Sequence, residues 1–565
     1  MSEIKDMLSE TDLTEEIQLQ TSTLVVGGGW TGIKAASELV SAGYSVVLVD
    51  RKASIGGQTS SNRLSVGAHR ELSSLLDSVK QDERIEVLEG TTLVSLTGVP
   101  GSFLVRLQRG DAVLERNVGA VVVAVEAESV SMVESYGLAP SEKVLTQSRL
   151  EEVLASEEDK ELLLGDPPKD VVFLVGLRQE GNPVVMERAI QSAIDIQDTG
   201  KARATVLVGN VKLARNGLEA LYKQSREKGV LYFKLRQPPK VSQNGSGLRV
   251  EFFDGVLRDE VALVPDVVVV EEATRPSPQF YDLEHVLRIE MDHDDFFQPD
   301  NVHFLPVQSN REGIYVIGSA RLPSNLAQGW ADAHNAVLAV RNLLGEGKKT
   351  VPKQKAKIHR GKCTICLTCF RVCPHGAIYW DNRAVISPVA CQGCGICASE
   401  CPMDAIQLVE YTDDEMEAQI LAATEQPADT PRIIAFLCQN SAYQAAEMAR
   451  LFGDTPPPGL QMIKVPCAGK VDVDYILTAF QAGADGVLVL ACHKDNCRSL
   501  RGNTFADWRV QDARRMLEEA GLEKERLRFA TLASNMPVEF ARIIRQMEEK
   551  IKTLGPNRIK KQAAA

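Results

Sequence analysis

Twelve cysteines lie between Cys363 and Cys497, and none precedes them. Eight form two copies of one spacing, Cys363-x2-Cys366-x2-Cys369-x3-Cys373-Pro374 and Cys391-x2-Cys394-x2-Cys397-x3-Cys401-Pro402. The copies are offset by 28 residues, and the repeat outlasts the cysteines, Ala377-Ile378 recurring as Ala405-Ile406. Thiolates at this spacing hold 4Fe–4S clusters, with the fourth cysteine of each copy crossing to the other cluster. The expected ligand sets are therefore Cys363, Cys366, Cys369 and Cys401, and Cys391, Cys394, Cys397 and Cys373. A zinc ribbon uses two short pairs rather than four-cysteine runs closed by Cys-Pro. A disulfide framework does not fit cysteines confined to one stretch of a long chain.

The other four cysteines sit at predicted strand ends. Strands over 433–437, 461–465 and 486–491 lead into Cys438, Pro466-Cys467 and Cys492, and Cys497 follows five residues later. A fourth strand is predicted over 528–531, with amphipathic helices over 507–519 and 538–554. Alternating strands and helices imply a parallel sheet whose carboxyl ends share one edge. Cys438, Cys467 and Cys492 then converge there, and Cys497 reaches it through a short loop. Four gathered thiolates suit a 2Fe–2S cluster or a zinc ion, and packing alone is the third reading. His493, between two of them, is expected to shape the loop.

The 565 residues call for several domains, and a net charge of −13 argues against a nucleic-acid partner. No apolar run approaches the roughly 18 residues of a membrane-spanning helix. Residues 1–20 are acidic and polar, unlike a signal or transit peptide. Cysteine usage points to a reducing cytoplasm, with any membrane contact made through partners.

In the cysteine-free part, a strand over 23–26 leads into Gly27-Gly28-Gly29-Trp30-Thr31-Gly32, a helix over 33–42 and a strand over 45–49 ending at Asp50. Glycines between a strand and a helix let a pyrophosphate approach the helix N-terminus, and Asp50 suits the ribose hydroxyls. A strand over 313–320 and a helix over 325–344 close the region. Between them an insert, 167–275, has its own alternation: strands 170–175, 205–208, 229–233 and 266–270, and a helix over 183–197. Its first turn, Gly176 to Gly181, lacks the third close glycine of a nicotinamide site, and no redox cysteine pair is present.

These motifs, with Ser54-Ile55-Gly56-Gly57-Gln58 and the 311–320 strand, resemble the A-type subunit of heterodisulfide reductase over about residues 20–410. That likeness implies a two-dinucleotide-domain flavoprotein fold of the disulfide-reductase type, joined to a bacterial two-cluster ferredoxin domain. It further implies FAD held by Gly27, Gly29, Trp30, Thr31, Gly32, Asp50, Arg51, Gly57, Gln58, Ala124, Gly318, Ser319, Ala327 and Gln328. The chain departs from the pattern at Gly176 to Asn182, which carry no cysteine. It departs again at Ala124-Val125-Glu126, where many flavoproteins have Ala-Thr-Gly, and at Ser319.

Phe436-Leu437-Cys438, Val465-Pro466-Cys467-Ala468-Gly469-Lys470, Ala482 to Val487 and Cys492 to Cys497 resemble the delta subunit of methyl-viologen-reducing hydrogenase. This implies a 2Fe–2S cluster on Cys438, Cys467, Cys492 and Cys497, with Ser441 where the family often has another cysteine. The fusion is also similar to the B-type subunit of the quinone-interacting membrane-bound oxidoreductase.

The expected α/β multidomain layout is an extension (1–20), an FAD domain (21–166 and 276–345), an NAD(P)-domain-like insert (167–275), a linker (346–357), a ferredoxin domain (358–410), a linker (411–430), an open parallel α/β domain (431–556) and a tail (557–565). The resemblances imply an electron-transfer oxidoreductase subunit, capable of flavin bifurcation. Its partners would be heterodisulfide reductase B/C-like or quinone-reactive membrane subunits, with a hydrogenase, formate dehydrogenase or adenylylsulfate reductase as donor or acceptor. The alternatives are a self-contained NAD(P)H:acceptor oxidoreductase, which NADH would bleach, and a scaffold whose flavin site has decayed.

Overall fold

The computed structural model describes residues 14–56, 66–164, 169–244, 247–297, 301, 303–353, 355–425 and 430–558. The described residues start with β1 (Thr14–Gln18), followed by β2 (Ser22–Val26), α1 (Trp30–Ser41), β3 (Ser45–Val49), β4 (Ile85–Leu88) and β5 (Ala120–Val123). The chain leaves to build a second sheet from β6 (Val144–Thr146), β7 (Lys169–Val175), β8 (Ala202–Val208), β9 (Leu231–Lys234) and β10 (Val267–Val270), with α2 (Pro183–Asp198) between β7 and β8. It then returns as β11 (Ile314–Val316), followed by α3 (Leu326–Leu344). The first sheet has order β11-β5-β2-β3-β4 and the second β6-β10-β7-β8-β9, every pair parallel.

The strands read as unbroken apolar runs because both faces are covered. Val25 and Leu48 pack under α1 and α3, while Leu24, Val26 and Val47 face a three-stranded antiparallel layer over 91–118 that inserts Phe103, Val105 and Leu107.

Next come β12 (Lys348–Pro352), β13 (Ala356–Ile358), α4 (Thr368–Val372), a hairpin of β14 (Ile378–Asp381) and β15 (Arg383–Ile386), α5 (Ile396–Ser399), β16 (Ile406–Leu408) and α6 (Asp413–Glu425). The last sheet contains β17 (Ile433–Cys438), β18 (Leu460–Val465), β19 (Gly486–Ala491) and β20 (Leu527–Thr531), ordered β18-β17-β19-β20 and wholly parallel. Helices α7 (Ala442–Leu451), α8 (Val473–Gln481), α9 (Gly502–Glu519) and α10 (Pro537–Leu554) flank it.

Three stretches differ from their expected roles. Within 346–357, expected as a linker, β12 pairs antiparallel with β1 over five residues, so part of the expected extension is also in a sheet. Within 411–430, α6 buries Met416, Ile420 and Thr424 at four-residue intervals, Met416 and Ile420 entering the core of the last domain. Its many acidic residues mask this narrow stripe. Strand β6 precedes the expected insert boundary yet pairs with β10, being too short to display a period of its own. Among the described residues no helix is long and apolar enough to cross a membrane.

Candidate cofactor sites

The turn from β2 into α1 is made of Gly27, Gly28 and Gly29 alone. Gly27 has φ +114°, and a Cβ there would lie 2.5 Å from the Ala124 carbonyl oxygen; one on Gly32 would lie 1.9 Å from that of Gly27. Gly29 caps α1 without a side-chain acceptor, so the first-turn N–H groups stay open at the helix's positive end. Trp30 Nε1 is buried without a partner among the described residues. Asp50 accepts hydrogen bonds from the Gly28 N–H at 2.6 Å and the Lys52 N–H at 2.7 Å, and Arg51 lies 3.8 Å from Glu128.

The late strand closes on the same place. A Cβ on Gly318 would lie 3.0 Å from Thr31 Cγ2, and one on Gly329 2.4 Å from Thr31 Oγ1. The Ala127 N–H donates to Ser319 Oγ at 3.1 Å, and Asn325 caps α3 by accepting from the Gln328 N–H at 3.0 Å, with Ala327 in the first turn. Gly57 and Gln58 lie outside the described residues.

This side-chain-free turn with open helix N–H groups fits a dinucleotide pyrophosphate, with one competitor. A Cβ on Gly29 would lie 2.2 Å from Glu126 Oε1, so that carboxylate covers the second glycine. Loss of water raises the Glu126 carboxyl; Lys52, with Nζ 3.8 Å away, opposes the rise and Asp50 adds to it.

All twelve cysteines are free thiols. Cys363, Cys366, Cys369 and Cys401 line one small cavity, so the last cysteine of the second copy joins three of the first. Cys397 in turn feels Cys394, Cys373 and Cys391. The Ala377 N–H reaches Cys373 Sγ at 3.4 Å and the Ala405 N–H reaches Cys401 Sγ at 3.3 Å, and both alanines are buried. Burial pushes Cys369 up to about 11 and Cys394 up to about 12; a metal held there would supply the positive charge that favours their thiolates.

In the last domain Cys438 closes β17, and Cys467 and Cys492 follow β18 and β19 on the carboxyl edge. Cys438 and Cys492 sulfurs are 3.7 Å apart. Cys438 and Cys497 are each in side-chain contact with both Cys467 and Cys492, contacts that lower the first two thiols and raise the other two. The four thus form one buried ring. His493 stands outside it, with Nδ1 3.1 Å from Thr531 Oγ1 and Nε2 3.4 Å from Met536 Sδ.

No sequence signal marks the residues that join these centres. Between β10 and β11, Asn310 Nδ2 donates to the Pro374 carbonyl at 2.9 Å, Arg288 donates to that of Phe370 at 3.1 Å, and Asn301 Nδ2 donates to that of Cys497 at 2.8 Å. Arg311 packs against Gly376; burial and Arg288 push it down to about 10, while Cys373 opposes the shift. On the other side Ile396 packs on Gly469 and Gly502. Arg509 donates to the Gly469 and Val471 carbonyls at 2.9 Å and pairs with Glu400. Buried Lys470 meets Asp413 and Tyr475. Isolated Asn, Arg and Lys residues with partners far along the chain leave no periodic signature.

Comparisons with known proteins follow the same divisions. Family models for an NAD(P)-binding Rossmann-like domain, a 4Fe-4S dicluster domain and the methyl-viologen-reducing hydrogenase delta subunit match residues 25–85, 362–405 and 433–555. The chain is similar to the A-type subunit of a ferredoxin:CoB-CoM heterodisulfide reductase of Methanosarcina mazei, 24% identical over 95% of this chain and 80% of that one. Its last part is similar to the D-type vhu iron-sulfur subunit of an F420-non-reducing hydrogenase of Methanococcus maripaludis, 37% identical over 23% of this chain and 97% of that one. A thioredoxin reductase structure from T. acidophilum matches 57% of this chain and 99% of its own, with 16% identity and a TM-score of 0.39.

Proposed function

The chain is a homologue of the A-type subunit of heterodisulfide reductase that carries a hydrogenase delta-like domain in the same polypeptide, and from that premise we propose an ordered electron relay. It is a flavo-iron–sulfur oxidoreductase subunit, with FAD and 4Fe–4S as cofactor classes. The finer assignment is one FAD in the Gly27–Gly32 cradle, two 4Fe–4S clusters on the crossed cysteine sets, and one 2Fe–2S cluster on Cys438, Cys467, Cys492 and Cys497. When bound, FAD exchanges electron pairs with two-electron partners and single electrons with iron–sulfur centres.

One observation carries the order of the centres. The set of Cys373, Cys391, Cys394 and Cys397 is joined on both sides, through Arg311 at Gly376 to the flavin domain and through Ile396 at Gly469 and Gly502 to the C-terminal ring. The other set ends at exposed Cys366, beside half-exposed Ile365 and Met403, which suits it to an external partner. Within each joint the chain's own side chains fix separation and exclude water, Arg311 holding positive charge beside Cys373 and Ile396 filling the gap to Cys467. The partners are read as heterodisulfide reductase B/C-like or quinone-reactive subunits at one end and a hydrogenase, formate dehydrogenase or adenylylsulfate reductase at the other, in the cytoplasm.

Anaerobic purification with iron, zinc and flavin counted per chain tests the assignment. About ten irons and one FAD are expected, with a two-iron spectroscopic signal that Cys438→Ser abolishes. Eight irons with one zinc would refute the 2Fe–2S assignment.

A further inference from the structure

The middle sheet carries a groove that the relay leaves unused. Strands β7, β8 and β9 end side by side, and the loops beyond them enclose a cavity of about 560 Å³. After β9 the sheet resumes on the far side of β7 with β10, so the cavity lies at the carboxyl edge next to the point where strand order reverses. That is where open parallel sheets take ligands, and the volume is in the range of about 300–1,000 Å³ typical of small-molecule sites.

Backbone forms the floor of the groove. Gly176 has φ +61°, and a Cβ on Gly209 would lie 2.1 Å from the Gly176 carbonyl oxygen. The walls bring three cations, Arg178, Lys234 and Arg236, and one carboxylate, Glu180, which pairs with Lys212, together with the carboxamides of Gln179, Asn210 and Gln237. Arg178 is held over the Tyr136 ring at 5.2 Å. Lys234 and Arg236 are exposed, and neither pairs with another described residue, in a chain whose net charge is −13. Under the turn Glu271, 2% exposed, accepts from the Gly176 N–H at 2.8 Å through Oε2. Its Oε1 has no hydrogen-bond partner among the described residues.

Two features make the groove a poor seat for a hydride donor. Asn182 Oδ1 already accepts from the Val184 and Val185 N–H groups, at 3.0 and 3.1 Å, so the positive end of α2 is capped by the chain itself. One turn on, Glu187 pairs with Arg215 at 2.6 Å and accepts from Asn325 at 3.2 Å, fastening the middle sheet onto the N-terminus of α3. We propose that this groove binds a nucleoside phosphate as a ligand that donates no electrons, its phosphates held by Lys234 and Arg236 and its sugar and base edges by Asn210 and Gln179. The proposal is independent of the cluster assignment, because the groove lies in the cysteine-free part of the chain.

The test is calorimetry on the full chain, purified anaerobically and saturated with FAD, using ADP, adenosine, inorganic phosphate and NADPH. One saturable ADP site per chain is expected, at least about tenfold tighter than adenosine or phosphate. Lys234→Ala combined with Arg236→Ala, both on the surface, should weaken ADP at least about tenfold while iron content and melting temperature stay as in the parent. NADPH should compete with ADP without bleaching the visible absorbance. Absence of saturable ADP binding, equal affinity for ADP and phosphate, an unchanged affinity in the double variant, or bleaching by NADPH would each overturn the proposal.

Discussion

Gly502 stands against Cys467: a Cβ at Gly502 would lie 2.4 Å from the Cys467 sulfur and 3.4 Å from that of Cys497. The first residue of α9 is thus a wall of the C-terminal thiol ring. Gly502→Ala should displace Cys467 and lower bound iron by about two per chain, leaving the 4Fe–4S signals in place. Iron analysis with electron paramagnetic resonance checks this; full retention of iron would show that the ring tolerates the extra methyl.

Glu126 supplies a second test. With its carboxylate over Gly29, Glu126→Gly should tighten FAD by on the order of tenfold or more, since a like charge leaves the pyrophosphate seat. Lys52 and Asp50 are the charged groups that face it. Because burial raises this carboxyl, it loses its charge at a higher pH than an ordinary glutamate. Parent affinity should therefore rise as pH falls through that value, a rise the variant lacks. Quenching of FAD fluorescence reads both; equal affinities would remove Glu126 from the seat.

Glu271 ties stability to pH. Burial pushes its carboxyl up from 4.5 to about 7, with the Gly176 N–H opposing. A carboxyl raised on folding contributes most below about pH 4.5, and that contribution is lost as pH rises through about 7. Glu271→Gln keeps an acceptor for Gly176 and carries no charge. It should stabilise the middle domain at pH 8 by up to about 3 kcal/mol and leave it unchanged at pH 4. Thermal melts at the two values decide; destabilisation at pH 8 would contradict the direction.

The cluster segment should depend on its iron. Its core is built largely of alanines and the ligands themselves, including Ala377, Ala384, Ala390, Ala398, Cys369 and Cys391. So little apolar surface cannot hold a domain unaided. Iron chelation should open residues 355–411 to protease first, with the flavin sheet surviving; simultaneous cleavage in both would refute it.

Sites built on covalent or backbone necessity were legible in the sequence. Cysteine spacing announced that Cys401 would lie with Cys363, Cys366 and Cys369, and glycines at Gly27 and Gly32 announced a turn with no room for a Cβ. The parallel sheet of the last domain followed from its alternation of strands and helices. Features resting on distant partners were not legible. Asn301 reaches the Cys497 carbonyl across nearly two hundred positions, and Lys470 finds Asp413 on a helix whose acidic residues read as linker. The three residues of Val144–Thr146 were too few to show which sheet they joined.

The clasp of Thr14–Gln18 on Lys348–Pro352 has a mechanical consequence. It removes slack between the flavin module and the first cysteine, and the Arg311, Asn310 and Arg288 contacts pin the far side. A tethered carrier shuttles by swinging between docking stations; this chain is built as a fixed bridge. Its external partners must come to it, and complexes should differ in where they land rather than in how the bridge bends.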